Sequence, residues 1–363
     1  MVLGTTFSIG SMMTEFGSAS NNLGGYYIGS TTRTRGVPGI PASGTISMSS
    51  FQNKGAPKFA VSPAVSGVTT WHLIDNGDLS LTSAGDWTIT LSNGPVYAFG
   101  KLWGGAGGTC YSLGTGSPPE VSGGGGYAYG NLTLANSTAY QLLVAGGGLG
   151  ATTSGRGASG GYGGGGCGGG TSGAGNNAPT AFGAGGTANG FALGNGPSGG
   201  AGGCSGIFTT SKTFANAQLI AGGGGSSGGY RCSTAGAGGG TSGLQGGYNT
   251  TSGGGGPGTQ TAGGANSGGQ GAGGSGAVAA GAGAGGAGGG GYYGGGAGVA
   301  NASSGGGGSS YIGGSIVSGG STTAGSGVTP GNSADGDRGT AGQGQTAQRV
   351  SGNAGKVLLR AGY

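Results

Sequence analysis

The chain has 363 residues, of which 110 are Gly and 11 are Pro, whereas Gly makes up about 7% of an ordinary protein. Only 5% of the residues are charged and the formal net charge is +5, a composition that argues against an ordinary enzyme. Gly runs such as 222–225 break the strict Gly-X-Y repeat of collagen, so collagen is excluded. The Lys and Arg residues are dispersed, so we expect no nucleic-acid partner.

A disordered low-complexity chain is the main alternative to an ordered protein, because Gly and Pro together make up a third of the residues. Disordered chains are usually highly charged and poor in apolar residues. Here the net charge is small and apolar islands separate the Gly runs, so we expect order. No stretch of about 18 apolar residues predicts a membrane span. The first 17 residues lack the pattern of a signal peptide, and synthesis in a cytosol is expected.

Residues 1–60 are predicted to form a small docking module. Four apolar residues from Ile9 to Phe16 follow the i, i+3, i+4, i+7 spacing of a short amphipathic helix. A segment of this length rarely builds a sufficient core alone, so we expect it to dock on something larger. The candidate docking residues are its large apolar side chains, namely Ile9, Met12, Met13, Phe16, Tyr26, Tyr27 and Phe51.

Residues 61–103 are predicted to form an antiparallel β meander. Apolar and polar residues alternate here, as they do in half-buried strands. Segments 71–74 and 79–81 flank an Asn-Gly pair, which is typical of a tight hairpin turn. Asp75 and Asp78 are expected to accept N–H groups of that turn. Two further strands complete the predicted meander.

Residues 104–330 are predicted to form a Gly-rich domain of packed polyglycine II helices. Such a helix has three residues per turn and no internal hydrogen bonds, so its N–H and C=O groups point outward. Because Gly lets backbones approach closely, neighbouring helices are able to satisfy one another. Two strand-like islands, 139–145 and 217–221, each lead into a Gly run. This pattern indicates that the domain is inserted in, or packed on, a β framework.

Residues 331–363 are predicted to end in a strand, 356–360, that closes the sheet begun near residue 70. The expected fold class is therefore mainly β with an irregular Gly-rich body. It combines a small docking module, an antiparallel framework and packed polyglycine II helices.

The sequence points to no catalytic, cofactor or metal site. His72 adjoins Trp71 on an apolar strand and is expected to be structural. Asp335 and Asp337 lack the further acidic ligands of a calcium-binding loop, and GxGxxG matches arise by chance at this Gly content. The four Cys contain no CxxC pair, so a zinc site is not expected. Buried thiols are favoured for them, with one or two disulfides as the alternative.

Aromatic residues punctuate the Gly-rich region. One interpretation is that they clamp the ends of the packed helices; the other is that those on loops stack on sugars or on a protein surface. Four interruptions of the Gly pattern are candidate contact loops: 110–120, 171–182, 207–214 and 257–267. The candidate receptor contacts are Tyr111, Glu120, Asn176, Asn177, Phe182 and Phe208.

Two parts of the chain resemble known families. Residues 7–53 contain FSIGSMMTEFG (7–17), YY (26–27), GVP (36–38) and SGTISMSSF (43–51), and resemble a module found near the start of many bacteriophage virion and tail proteins. The later motifs LWGGAGG (102–108), QLLVAGGG (141–148), GYYG (291–294) and GGGGSSY (305–311) are similar to Gly-rich domains built of polyglycine II helices. Such domains occur in receptors of the anaplastic lymphoma kinase type and in tail-fibre tip adhesins of T-even-like phages. The sequence shows no membrane span or kinase domain, which favours the phage families.

The resemblance implies a virion structural protein without enzymatic activity, in a tail fibre, spike or adhesin, that is assembled in the host cytoplasm and exposed on the particle. The implied partners are other tail or baseplate proteins and a host cell-surface receptor, either a glycan or an outer-membrane protein. A head fibre or capsid decoration protein is the alternative placement, and the oligomeric state, homotrimer or monomer, stays open. An ice- or surface-binding protein is a more distant alternative, and a flexible elastic linker is a third.

Overall fold

The structure is a computed structural model of the 363-residue chain. It describes residues 58–65, 68–72, 78–93, 95–111, 121–152, 157–169, 182–183, 185–186, 196–229, 233–248, 253–277, 283–299 and 303–361. Residues 1–57 of the predicted docking module, with its helix and its seven candidate docking residues, lie outside these ranges, whereas residues 58–60 belong to the first strand.

The fold is mainly β. The strands of the described residues are β1 (Lys58–Val65), β2 (Val68–His72), β3 (Leu79–Leu81), β4 (Gly85–Ser92), β5 (Val96–Trp103), β6 (Tyr127–Leu134), β7 (Ala139–Val144), β8 (Ser205–Phe208), β9 (Ala217–Ala221), β10 (Tyr311–Ile312), β11 (Val317–Thr323) and β12 (Lys356–Ala361). They form two antiparallel sheets, one of seven strands in the order β10-β9-β8-β7-β4-β1-β2 and one of five in the order β11-β6-β5-β12-β3. The helical structure of the described residues is a single 3₁₀ turn, Phe214–Asn216.

The predicted meander is wrong in its connections. β2 pairs with β1, whereas β3 pairs with β12, so the two strands of the predicted hairpin lie in different sheets. β4 and β5 are likewise divided between the sheets. An alternating pattern identifies one buried face on each strand but not the neighbour of that strand. Here the chain crosses between the sheets, and strands of both sheets bury apolar side chains in a shared core.

The hydrophobic core lies between the two sheets. In β4, Trp87, Ile89 and Leu91 are buried, while the alternate residues face outward. Leu102 of β5 and Leu132 of β6 are fully buried opposite them. Each large apolar side chain removed from water in this way contributes about 1.5–3 kcal/mol to the stability of the fold.

The predicted C-terminal strand is confirmed, but the expectation that it closes the sheet begun near residue 70 is wrong, because β2 lies in the seven-stranded sheet and β12 in the five-stranded one. β12 lies between β5 and β3, with Lys356 opposite Trp103 and Ala361 opposite Ala98. Its alternate residues Val357 and Leu359 are buried in the core. The end of the chain therefore closes the same sheet that β3 and β5 begin.

Six strands continue directly into Gly-rich segments or emerge from them. β5, β7 and β9 lead into segments 104–110, 145–151 and 222–229. Segments 121–126, 196–204 and 303–310 lead into β6, β8 and β10. The two predicted strand-like islands are β7 and β9, so the interpretation that a β framework supports the Gly-rich region is confirmed.

The Gly-rich segments pack side by side into what we call the glycine lattice. In segment 303–310 successive N–H groups donate to three neighbouring segments in rotation. The acceptors are Gly247 for Ser304, Ser226 for Gly305 and Gly296 for Gly306, followed by Leu244, Gly223 and Tyr293 for Gly307, Gly308 and Ser309. Three further segments, 235–240, 253–258 and 284–291, donate to its carbonyls. This three-residue rotation among six neighbours is the packing expected of polyglycine II helices.

The close approach of the segments explains why Gly is required. A Cβ atom added at Gly223 would lie 2.3 Å from the carbonyl oxygen of Gly202, and one added at Gly289 would lie 2.1 Å from that of Gly223. These contacts are to backbone, which is unable to swing away as a side chain does. The interior of the lattice is therefore made of backbone, with buried Ser side chains such as Ser226 as additional hydrogen-bonding groups.

Candidate functional site: the far end of the glycine lattice

The glycine lattice has one end at the sheets and one end away from them. Hydrogen bonds between segments show which residues lie at the same distance from the sheets along the axis of the lattice. Gly104, next to β5, donates to Gly126, whereas Tyr111, seven residues further on, donates to Pro197. We call the end that contains Tyr111 and Pro197 the lattice tip.

Many lattice segments end or begin at the tip. Residues 169 and 196 do so, and the other described ends there form the pairs 111 and 121, 152 and 157, 229 and 233, 248 and 253, 277 and 283, and 299 and 303. The residues between the members of each pair lie outside the described ranges. The lattice thus gathers connections that are far apart in sequence at one end of the molecule.

Described side chains at the tip include an aromatic residue stacked with a cation. The guanidinium carbon of Arg349 lies 3.7 Å from the centre of the Tyr111 ring. The backbone N–H of Arg349 donates to the carbonyl of Cys110 at 3.1 Å, and Cys110 is disulfide-bonded. Tyr248, also at this end, is 62% exposed. The tip therefore presents an exposed phenol and an exposed guanidinium on a backbone held by hydrogen bonds.

Both ends of the described chain lie at the opposite end of the molecule, which we call the sheet base. Lys58 pairs with Ser92 at the end of β4, and Ala361 pairs with Ala98 near the start of β5. From there β5 runs toward Trp103, where the lattice begins. Residues 1–57 therefore join the described structure at the end farthest from the lattice tip.

The sequence-predicted receptor contacts do not form one site. Phe208 is fully buried and Phe182 is 6% exposed, and their rings pack edge to face at 5.1 Å beneath the sheet. The prediction that these two residues contact a receptor is wrong, because an isolated Phe beside Gly covers the apolar face of a strand. Tyr111 is half-buried at the tip. Glu120, Asn176 and Asn177 lie outside the described residues.

An aromatic stack covers the junction between the lattice and the sheets. Tyr292 lies between Phe214 and Tyr311, with both ring-centre distances at 3.9 Å and interplanar angles of 18° and 9°. Burial raises the pKa of Tyr292 to about 12, and the hydroxyl of Tyr311 adds to the shift. The faces of the Tyr292 ring are occupied by its neighbours, so for this residue the clamping interpretation is favoured over sugar binding.

A cluster of opposite charges lies on the five-stranded sheet. Lys101 contacts Asp335 at 2.8 Å and Asp337 at 2.6 Å, and Arg360 contacts Asp337 at 2.9 Å and pairs with Asp78. The carboxylate of Asp78 binds Arg360, whereas the turn whose N–H groups it was expected to accept lies outside the described residues. Since Asp335 and Asp337 each have a cationic partner, the cluster ties segment 331–340 to β5 and β12.

The three Cys residues in the described ranges divide into two groups, and Cys232 lies outside those ranges. Cys110 is disulfide-bonded, so for this residue the expectation of a buried thiol is wrong. Cys167 and Cys204 are buried thiols, as favoured from the sequence. Burial raises the pKa of Cys204 to about 12, and it also raises the pKa of Cys167.

Tyr248 and Arg349 were not selected from the sequence. The sequence around Tyr248 does not differ from that around the other Tyr residues of the Gly-rich region. Arg349 is 238 residues from Tyr111, so no local sequence pattern indicates that these two residues are in contact. Within the described ranges no group of three or more His, Cys, Asp or Glu residues is placed to hold a metal ion. The same residues include no helix with the length and apolar character needed to cross a membrane.

Comparison with known proteins gives no match, either among protein-family models or among curated proteins.

Proposed function

We propose that the protein is a bacteriophage virion component, in a tail fibre, spike or adhesin, that presents its lattice tip to the host-cell surface. The observation that carries the proposal is the polarity of the molecule. Residues 1–57, of which 7–53 resemble a module of phage virion proteins, join at the sheet base, whereas many lattice segments end or begin at the lattice tip. A candidate attachment module at one end and a tip with exposed side chains such as Tyr248 and Arg349 at the other suit a protein that bridges a particle and a surface.

The construction of the lattice also supports this role. Binding loops are most effective on a rigid scaffold, because less conformational entropy is lost on binding. Segments such as 222–229 and 303–310 each have six hydrogen-bonded neighbours, so the scaffold beneath the tip is held in every lateral direction. The proposed partners are other tail or baseplate proteins at the base, and a glycan or outer-membrane protein at the tip. The proposed role needs no catalytic group and no cofactor.

The placement is tested by attaching a small label at residue 363 and imaging intact particles by cryo-electron microscopy. We expect label on the tail. Label on the capsid would contradict the tail assignment and favour a head fibre or decoration protein.

The role of the tip is tested separately by measuring adsorption of particles to host cells. We expect Arg349→Ala, at the tip, to slow adsorption, because the substitution removes an exposed cation and the partner of the Tyr111 ring. The matched control is Thr133→Ala, which changes an exposed residue of β6. Particles that carry this variant should adsorb at the same rate as unmodified particles. Equal adsorption of the two variants would argue against the tip as the contact surface.

A further inference from the structure

Segments 243–248 and 253–258 form the outermost layer on one side of the glycine lattice. Both contact segment 303–310, which has four other neighbours deeper in the lattice. Gly243 and Gly246, three residues apart, face inward. A Cβ atom at these positions would lie 2.1 Å from the carbonyl oxygen of Gly307 and 2.2 Å from that of Ser304.

The outward positions of segment 243–248 carry the larger side chains. Leu244 is 42% exposed, Tyr248 is 62% exposed and Gln245 is exposed between them. Leu244 and Tyr248 are two of the three exposed large apolar residues in the described ranges. The N–H of Gln245 has no hydrogen-bond partner among the described residues. In the adjoining segment, Pro257 occupies a position without an N–H group.

An outer layer of such a lattice poses the same problem as the edge strand of a sheet. Its unpaired N–H and C=O groups are a template for another backbone, and sheet edges are commonly protected by bulky side chains or by Pro. A further Gly segment is able to bind only if the backbones come as close as they do inside the lattice. There the neighbouring oxygens lie about 2 Å from where a Cβ would be. A side chain on the outward face therefore keeps a further segment away.

We propose that Leu244, Gln245 and Tyr248 close the glycine lattice on this side, and that without them this face binds a Gly segment from a second copy of the chain. The occupant follows from composition, because the chain itself carries many Gly runs of matching periodicity. The inference concerns association between copies and does not depend on the proposed role at a host surface.

The test compares two triple variants of the full chain with the unmodified protein. In the first, L244G/Q245G/Y248G removes all three side chains; in the second, L244N/Q245N/Y248N keeps side chains but removes the apolar surface. We expect the Gly variant to associate with rising concentration, with at least a doubling of the mass measured by light scattering. We also expect slowed amide hydrogen exchange over 243–248 in the associated state. The Asn variant should keep the mass and exchange of the unmodified protein.

Two outcomes would overturn the proposal. If the Gly variant keeps both the mass and the amide exchange over 243–248 of the unmodified protein, these side chains are not what prevents a further segment from binding. If the Asn variant has a lower mass than the unmodified protein, then Leu244, Gln245 and Tyr248 already form an apolar contact between copies of the unmodified protein. Melting curves of both variants verify that the fold persists, and Tyr248→Gly alone, read by the same exchange measurement, serves if the triple Gly variant unfolds.

Discussion

The ammonium group of Lys101 on β5 lies 2.6 Å from the carboxylate of Asp337, 236 residues later in the chain. Hydrogen bonding to Lys101, aided by Arg360, lowers the pKa of Asp337 below its ordinary value of 3.8. For Lys101 burial opposes the charged form, but hydrogen bonds to Asp335 and Asp337 outweigh it and raise its pKa above 10.5. The contact therefore links segment 331–340 to β5, and each of the two groups stabilises the charged form of the other.

The charge cluster predicts loss of stability at both extremes of pH. The contribution of Asp337 is complete above pH 3.8 and is lost as the pH falls through its lowered folded-state pKa. The contribution of Lys101 is complete below pH 10.5 and is lost as the pH rises through its raised folded-state pKa. We expect Asp337→Asn to lower the free energy of unfolding by about 1 kcal/mol at neutral pH. We also expect its melting temperature to fall less steeply than that of the unmodified protein as the pH becomes acidic. Melting temperatures of both proteins from pH 2 to 12 test this expectation. The same dependence on pH in the acidic range for both proteins would contradict it.

The glycine lattice predicts intolerance to side chains at specific Gly positions. Gly223→Val and Gly289→Val place a Cβ against backbone oxygen, so each should cost more than about 2 kcal/mol or prevent folding. Gly164→Val adds strain, because φ there is +86°. The matched control is Gly253→Val, where a Cβ meets nothing within 4 Å. Melting curves that are the same for all four variants would contradict the packed arrangement.

The aromatic stack predicts that Tyr292 is structural. Tyr292→Ala removes two stacked ring contacts, and we expect a loss of about 2 kcal/mol in the free energy of unfolding. Tyr248→Ala is the control, because the ring it removes is 62% exposed. Urea unfolding of both variants distinguishes the two positions. Equal midpoints would show that the stack contributes nothing to stability.

The buried thiol of Cys204 predicts chemical inertness. Its pKa of about 12 leaves little thiolate at pH 8, and its side chain is fully buried. We expect a thiol-reactive reagent to modify Cys204 only as fast as the protein unfolds, so the rate should rise steeply with urea. The modified residue is identified by peptide mass spectrometry. Fast labelling of Cys204 in the native protein would contradict the buried position.

Sequence patterns predicted the strands better than their partners. The islands at β7 and β9 and the closing strand β12 were identifiable, because each is an apolar run within a contrasting background. The hairpin between β2 and β3 was wrong, since an Asn-Gly pair favours a tight turn but does not fix the sheet to which the next strand belongs. The neighbours within the lattice were not predictable at all. Gly segments are nearly identical in sequence, so nothing distinguishes one possible partner from another.

The candidate site was predicted less well than the fold. Tyr111 does lie at the lattice tip, where it contacts Arg349. Phe182 and Phe208 were misassigned because a Phe beside Gly has no periodic pattern to reveal its buried side. The grouping of many segment ends at the lattice tip follows from the lengths and directions of the Gly segments, which only the hydrogen-bond pattern supplies.

The position of segment 104–110 has a consequence for how the protein is made. Thr109 in this early segment exchanges hydrogen bonds with Val350, which is 241 residues later. At a synthesis rate of about 5–20 residues per second, Val350 follows Thr109 by roughly 12–50 s. During that interval the nascent segment has no access to one of its native neighbours. The lattice is therefore able to close around segment 104–110 only after Val350 has been synthesised, however early the rest of the Gly-rich region folds.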